Sequence, residues 1–190
     1  MSRQAKTYVT PDEYLAIERR SEFKSEYIDG EIFAMTGASR KHNYAAGNIY
    51  SALRRELREK PCDVFISDMR VRIPAANVYT YPDVVAACGE PEFEDAEVDT
   101  LVNPTLIVEV SSKSTVTYDR EAKFEYYRTI PSLIEYLLVS QNNRHVTQYV
   151  RQADGRWLLA DIRGAEARVE LSSVGCALAL AEIYERVEMP

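Results

Sequence analysis

Pro104-Thr105-Leu106-Ile107-Val108-Glu109-Val110-Ser111-Ser112-Lys113-Ser114-Thr115 is the stretch on which the fold turns. Its apolar run is rich in Val and Ile and too short for a helix, so it reads as a buried strand that Glu109 interrupts. Tyr81-Pro82-Asp83-Val84-Val85-Ala86 has the same form, with Asp83 at its edge. An ionised carboxylate in such a run is costly unless something pairs with it. A divalent cation with oxygen ligands, Mg²⁺ or Mn²⁺, is an economical partner for two convergent carboxylates. The alternative is that each acid stands at a strand end and pairs with an arginine.

Beyond the Glu109 strand and a polar loop, a helix is expected from about Asp119 to Ile130, stopped by Pro131-Ser132. Asp119, Lys123 and Tyr127 share one face of it by their i, i+4, i+8 spacing. The face begins eight residues after Ser111, so the loop can fold the helix back beside the strand and bring Lys123 to the two acids. A metal, two acids and one ammonium suit phosphodiester hydrolysis, in which charge develops at phosphorus. The competing reading of Lys123 is a surface lysine paired with Asp119.

Upstream, Thr10-Pro11-Asp12-Glu13 opens a helix to about Arg19 with a capping box and Pro at the first position. Asp29-Gly30 marks a hairpin between Glu26-Tyr27-Ile28 and Glu31-Ile32-Phe33-Ala34-Met35. A long amphipathic helix is expected from about Lys41 to Glu59 and one strand from Val64 to Ile73. The acidic connector from Gly89 to Asn103 is expected to be solvated and mobile, without chemistry. Strands follow at Ile134–Val139, His145–Arg151, Trp157–Ile162 and Ala167–Leu171, with Asp154-Gly155 as a second hairpin signal and a short closing helix in the tail.

The chain has 190 residues, 46% hydrophobic and 28% charged, as expected of one globular α+β domain over 1–190. Nothing approaches the roughly 18 to 20 consecutive apolar residues of a membrane span. Met1 to Tyr8 has no apolar segment behind its charges, so no secretory signal is expected and a cytoplasmic setting is. Cys62, Cys88 and Cys176 lie far apart with no CxxC pair, so no zinc site is expected, and reduced thiols are. The net charge of −7 argues against strong non-specific affinity for nucleic acid. Arg40, Lys41, Arg54, Arg55, Arg58 and Lys60 form a local basic group, read more simply as a solvated helix surface than as a DNA groove.

These motifs, in this order, resemble the Uma2 family of restriction-endonuclease-like proteins with the PD-(D/E)XK nuclease fold. The resemblance covers roughly Thr10 to Ser140. It rests on Tyr8 to Leu15, Glu26 to Ile32, His42, Tyr81-Pro82-Asp83-Val84-Val85, Pro104 to Thr115, the Asp119/Lys123/Tyr127 helix and Ile134-Glu135-Tyr136. It implies a mixed central sheet flanked by helices, with an N-terminal helix and hairpin. It also implies a Mg²⁺- or Mn²⁺-dependent DNA endonuclease, working as a homodimer, with Asp83 and Glu109 as metal ligands. The general nuclease motif has lysine two residues after the second acid, where this chain has Ser111. The resemblance implies that Lys123 takes over from the helix. Lys113 competes, nearer in sequence but past the strand end. Leu137-Leu138-Val139-Ser140 also departs from the family, whose members tend to carry Trp and a terminal Asp there.

Glu26 is either a further acid near the metal or an exposed strand-edge residue. His42 is either a general base or phosphate neighbour, or a cap or packing residue at a helix start. The rival to the endonuclease is a non-catalytic nuclease-fold module that binds protein or nucleic acid. The acidic charge, Ser111 and the lack of a separate DNA-reading domain favour the rival. The joint presence of Asp83, Glu109 and Lys123 favours the enzyme.

Overall fold

Residues 8–112 and 115–189 are described by the computed structural model. The first helix, α1 (Pro11–Glu18), starts at the predicted capping box. Thr10 Oγ1 accepts the Glu13 N–H at 3.3 Å, and Glu13 Oε2 accepts the Thr10 N–H at 2.8 Å. The hairpin β1 (Ser25–Ile28) and β2 (Glu31–Ala34) turns at Asp29 and Gly30, both at positive φ (42° and 93°). That pair of left-handed residues gives the chain the twist of its flanking strands. The Tyr8 ring covers Gly30 so closely that any side chain there would collide with it.

Helix α2 (Arg40–Glu56) follows, then β3 (Cys62–Ile66), β4 (Arg70–Ile73), β5 (Val78–Thr80), β6 (Val84–Cys88), β7 (Thr100–Leu101) and β8 (Leu106–Ser111). Next, α3 (Val116–Tyr118), a π-helical turn (Asp119–Lys123) and α4 (Phe124–Tyr127) run into one another. The chain closes with β9 (Glu135–Ser140), β10 (His145–Arg151), β11 (Trp157–Arg163), β12 (Arg168–Leu171), β13 (Cys176–Ala179) and α5 (Leu180–Ile183).

The central sheet has the order β11-β10-β9-β8-β6-β3 and is antiparallel except where β8 meets β9. A second sheet, β2-β1-β5-β4-β7, lies against one of its faces. Alternation along the strands separates two cores. Leu106, Val108 and Val110 of β8, with Val84 and Ala86 of β6, pack under Ile49 and Leu53 of α2 and Leu180 and Ile183 of α5. Ile107, Val85 and Ala87 face the other way, onto Val71, Ile73 and Val78 of the second sheet and Tyr127 of α4. Each fully buried aliphatic side chain here contributes about 1.5–3 kcal/mol, which fixes the register of both sheets. Glu109 falls on the second-sheet face. Extending the Val84↔Val108 pairing by one step sets Asp83 across from it.

Four expectations need correction. The run from Val64 to Ile73 is two strands in two sheets, because Ser67 takes a left-handed φ of 57° and Lys24 Nζ holds the turn through the Ser67 carbonyl and Asp68. A period-2 pattern continues across such a turn and hides it. The acidic connector is tied down: Asp95 and Asp99 pair with Arg19, Asp99 also with Arg70, and Glu94 accepts from Tyr79 Oη. Those cations are remote in sequence, so composition could not show them. Cys62 and Cys88 form a disulfide, since the β3–β6 register sets them opposite each other, while Cys176 is free. Finally, β13 follows β12 as its antiparallel partner, where only a closing helix was expected. Among the described residues no helix is long and apolar enough to cross a membrane.

Candidate active site

Four elements converge on the second-sheet face of β8. Glu109 is buried and held by two donors on one oxygen. Lys123 Nζ lies 3.0 Å and Tyr127 Oη 2.6 Å from Oε1. Both donors come from the helical segment after the loop. The π turn at Asp119–Lys123 and the i, i+4 spacing into α4 put Lys123 and Tyr127 on the same side, and Asp119 is buried with them. A π turn widens the helix locally and is frequent at functional sites. The second sheet supplies Glu26 from β1, whose Oε1 is 3.1 Å from Lys123 Nζ and also accepts from Thr80 Oγ1. Lys123 therefore bridges the two sheets through Glu109 and Glu26.

Asp83 sits just before β6, where the chain passes from one sheet to the other. Its Oδ2 accepts the Val110 N–H at 2.7 Å, and its Oδ1 is 2.8 Å from His42 Nε2. His42 is in the first turn of α2, where Ser39 Oγ caps its N–H at 3.2 Å. Capping thus fixes the turn that aims the imidazole at Asp83. Asp83 and His42 form the partly open rim, with side chains 17% and 19% exposed, above the buried Glu109. No arginine pairs with either strand acid among the described residues. Lys113 lies outside them. Ser111 is buried, and its hydroxyl points to the Val139 carbonyl at 3.5 Å.

Electrostatics follow from this crowding. Burial pushes the Glu109 carboxyl well above the usual carboxylate range, Asp83 and Asp119 add to the rise, and Lys123 and Tyr127 oppose it. Burial pulls Lys123 down, but the carboxylates of Glu109, Glu26 and Asp119 outweigh it and hold the ammonium protonated. Burial also lowers His42, yet its bond to Asp83 and the charges of Asp83 and Glu109 raise it overall. Asp119 is raised by burial, with Lys123 and Thr115 opposing.

The four acids Glu26, Asp83, Glu109 and Asp119 thus face one ammonium and one imidazole. The donor set is hard oxygen, as Mg²⁺ or Mn²⁺ prefer, and a divalent charge matches the excess of acids over cations. Among the described residues, no three His, Cys, Asp or Glu side chains gather closely enough to hold a metal by themselves. A Mg²⁺ or Mn²⁺ ion held there by two carboxylates would need waters or substrate oxygens to complete its coordination.

Sequence reasoning passed over the Tyr127 hydroxyl as a donor to Glu109 and the role of Thr80 in orienting Glu26. The i+4 spacing from Lys123 carried the first. Nothing local carried the second, because β5 reaches β1 only through the sheet.

A mixed sheet with paired acids on adjacent strands and a lysine from the following helix defines a restriction-endonuclease-like α+β protein. The crystal structure of "a putative nuclease belonging to DUF820" from Anabaena variabilis ATCC 29413 has this fold. It superposes with a TM-score of 0.72 at 18% identity, covering 93% of this chain and 97% of that one. The chain belongs to the Uma2 family, described as "Putative restriction endonuclease", which it matches over residues 11–181. Two relatives come from Synechocystis sp. (strain ATCC 27184 / PCC 6803 / Kazusa). "Uncharacterized protein sll1609" is 41% identical over 164 residues, which is 86% of this chain and 93% of the relative. "Uncharacterized protein slr1290" is 36% identical over 176 residues, 93% of this chain and 91% of the relative.

Proposed function

We propose that this protein hydrolyses phosphodiester bonds in DNA, using Mg²⁺ or Mn²⁺ held by Asp83 and Glu109. The observation that carries this reading is the meeting of Glu109 and Lys123 at 3.0 Å beside Asp83, in a site where acids outnumber cations. The cation, when bound, supplies an activated water and charge stabilisation at the scissile phosphate. The chain's own groups do the rest. The Val110 N–H and His42 fix both oxygens of Asp83, so this carboxylate has one orientation. Tyr127 and Lys123 do the same for Glu109 Oε1. Lys123 stays protonated among three carboxylates, so it is a poor proton acceptor at neutral pH. Its role is to hold positive charge against the developing phosphorane and to orient the nucleophile. The buried floor excludes water and strengthens each of these interactions.

We further assign the protein to the cytoplasm with its DNA substrate, where thiols are kept reduced, so that Cys62–Cys88 closes there only on oxidation. A homodimer is part of the reading. β11 is a seven-residue edge strand of the central sheet with Leu158 60% and Leu159 53% exposed, and a second copy offers the same edge. Sedimentation of Leu159→Lys should then show monomer where the unaltered chain shows dimer; a monomer in both discards this interface.

The test of activity is cleavage of supercoiled and linear duplexes at low salt with Mg²⁺ or Mn²⁺, using the unaltered chain and Asp83→Asn. Metal-dependent cleavage lost in Asp83→Asn supports the proposal. Cleavage that persists in the variant points to a contaminant or another site. No cleavage with any metal, together with no Mn²⁺ binding in calorimetry, leaves the non-catalytic module as the reading.

A further inference from the structure

At the far end of α2 from His42, the helix, the turn after it and edge strand β3 enclose a groove of about 640 Å³. Its walls carry Ser51, Arg54, Arg55, Arg58 and Lys60 against a single acid, Asp63, and its floor includes Cys62 and Gly89. We infer that this groove binds the phosphodiester backbone of nucleic acid, taking a stretch of the duplex away from the scissile bond.

Three observations lead there. First, the charges are unspent. Arg55 is occupied by Glu56 and Glu182, but among the described residues neither Arg54 nor Arg58 has a carboxylate or carbonyl partner. Two free guanidiniums at i, i+4 repel each other, which folding does not require. The negative end of the α2 dipole accounts for basic residues there, but not for their gathering in a concavity. In a chain of net charge −7, such a gathering is a local exception.

Second, the groove is rigid before any ligand arrives. Lys60 Nζ is held by the carbonyls of Val174 (3.0 Å) and Gly175, so its ammonium is fixed rather than sweeping through solvent. The β3–β6 pairing, which sets Cys62 opposite Cys88, and the Gly89 N–H to the Pro61 carbonyl (2.7 Å) tie β3 to β6 along the floor. A fixed wall loses less entropy on binding.

Third, the donor chemistry suits phosphate. Guanidinium forks match phosphate oxygens two at a time, and a serine hydroxyl and an ammonium complete a set that reads backbone and not bases. Arg54 is twelve residues along α2 from His42, about 18 Å at the helical rise, or roughly five base pairs of duplex. One DNA molecule can therefore reach the groove and the acidic site together. That second engagement rests on the proposed function, whereas backbone binding by the groove does not.

The experiment measures binding in EDTA, where hydrolysis does not run, by fluorescence anisotropy of a 24-base-pair and a 6-base-pair duplex across a salt series. The full chain is compared with Arg54→Gln/Arg58→Gln and with Arg20→Gln/Arg156→Gln, which removes the same charge from exposed sites elsewhere. The groove variant should bind the longer duplex about tenfold more weakly at low salt. The slope of its log affinity against log salt should fall by about 1.8, or 0.9 for each lost phosphate contact. The control pair should leave that slope unchanged. Equal slopes for all three proteins overturn the inference, as does an unaltered chain that binds no duplex. Binding of polyglutamate in place of duplex also overturns it and marks the groove for an acidic protein. A slope that falls as expected while the unaltered chain cleaves nothing keeps the groove and discards the catalytic reading.

Discussion

The Arg70 cluster and the Glu109 cluster both bury charge beside the second sheet, and their internal accounting differs. Arg70 donates from Nε to Thr100 Oγ1 (2.9 Å) and from Nη1 to Tyr81 Oη (2.8 Å), and its Nη2 pairs with Asp99 (2.8 Å). Tyr81 donates its hydroxyl to Glu18 (3.0 Å), and Glu18 also accepts the Ser25 N–H at 2.9 Å. Asp99 is shared with Arg19. Acids and bases nearly cancel, and Arg70 Nη2 makes no hydrogen bond among the described residues but meets Asp99 as an ion pair. Around Glu109 the acids outnumber the cations, and Lys123 is shared between two of them. A balanced network joins α1 to the second sheet. An unbalanced one is stable only if protons or a metal supply the missing charge. The contrast sets a structural cluster beside the proposed active one.

The largest test of that contrast is Asp83→Asn. Cleavage should drop by at least about 10³-fold, roughly 4 kcal/mol of transition-state stabilisation, because the proposed charged metal ligand is lost. Thermal unfolding should be unchanged or shifted upward, since removing one acid from an acid-rich site relieves repulsion. A midpoint several degrees lower would make Asp83 structural in the manner of Glu18, and the contrast would collapse.

Arg70→Met should act in the opposite sense. It removes the buried guanidinium from Thr100, Tyr81 and Asp99 at once and should destabilise the fold by about 3 kcal/mol in urea titrations. Cleavage by the fraction that remains folded should be nearly normal. A rate loss larger than the stability loss would mean that the two clusters are coupled.

Tyr127→Phe is a finer probe. It removes the 2.6 Å bond to Glu109 without a change of shape. A hydrogen bond to a buried acid is worth about 2 kcal/mol, so the midpoint should fall accordingly. If the hydroxyl also orients the ligand, activity should fall up to about tenfold while Lys123 remains in place. Stability that does not move would show that Glu109 finds another donor.

The smallest effect is on acid titration. The Asp99 carboxyl is held below its usual range by Arg19 first, against burial, with Thr100 and Arg70 assisting. Asp95 is lowered chiefly by Arg19. A depressed folded pKa means stability that is complete above the unfolded value, near 4, and lost as pH falls through the folded one. The loss should stay below about 1 kcal/mol, because both carboxylates are about a third exposed and solvent screens them. Calorimetry between about pH 5 and 2 on the unaltered chain and Asp99→Asn should show a steeper decline in the former. Parallel curves would remove Asp99 from the balanced network.

How much could be read in advance depended on the range of each signal. The capping box at Thr10 and the Asp29-Gly30 turn are local, and both appear as expected. The i, i+4 step from Lys123 to Tyr127 is local too, and the structure brings both to Glu109. The break at Ser67 was hidden because alternation runs straight through it. The partners of Asp95 and Asp99, and the bond between Cys62 and Cys88, join residues 26 to 80 positions apart.

By itself, the sequence determined the strands that carry Asp83 and Glu109 and the helix face that carries Lys123, because periodicity and capping act within a few residues. Tertiary structure alone decided which charges share a site. The β6–β8 register set Asp83 across from Glu109, the meeting of two sheets brought Glu26 to Lys123, and the long-range pairing of Arg70 closed the other cluster. Burial and Coulomb energy depend on distance in space, which a linear order of residues does not encode.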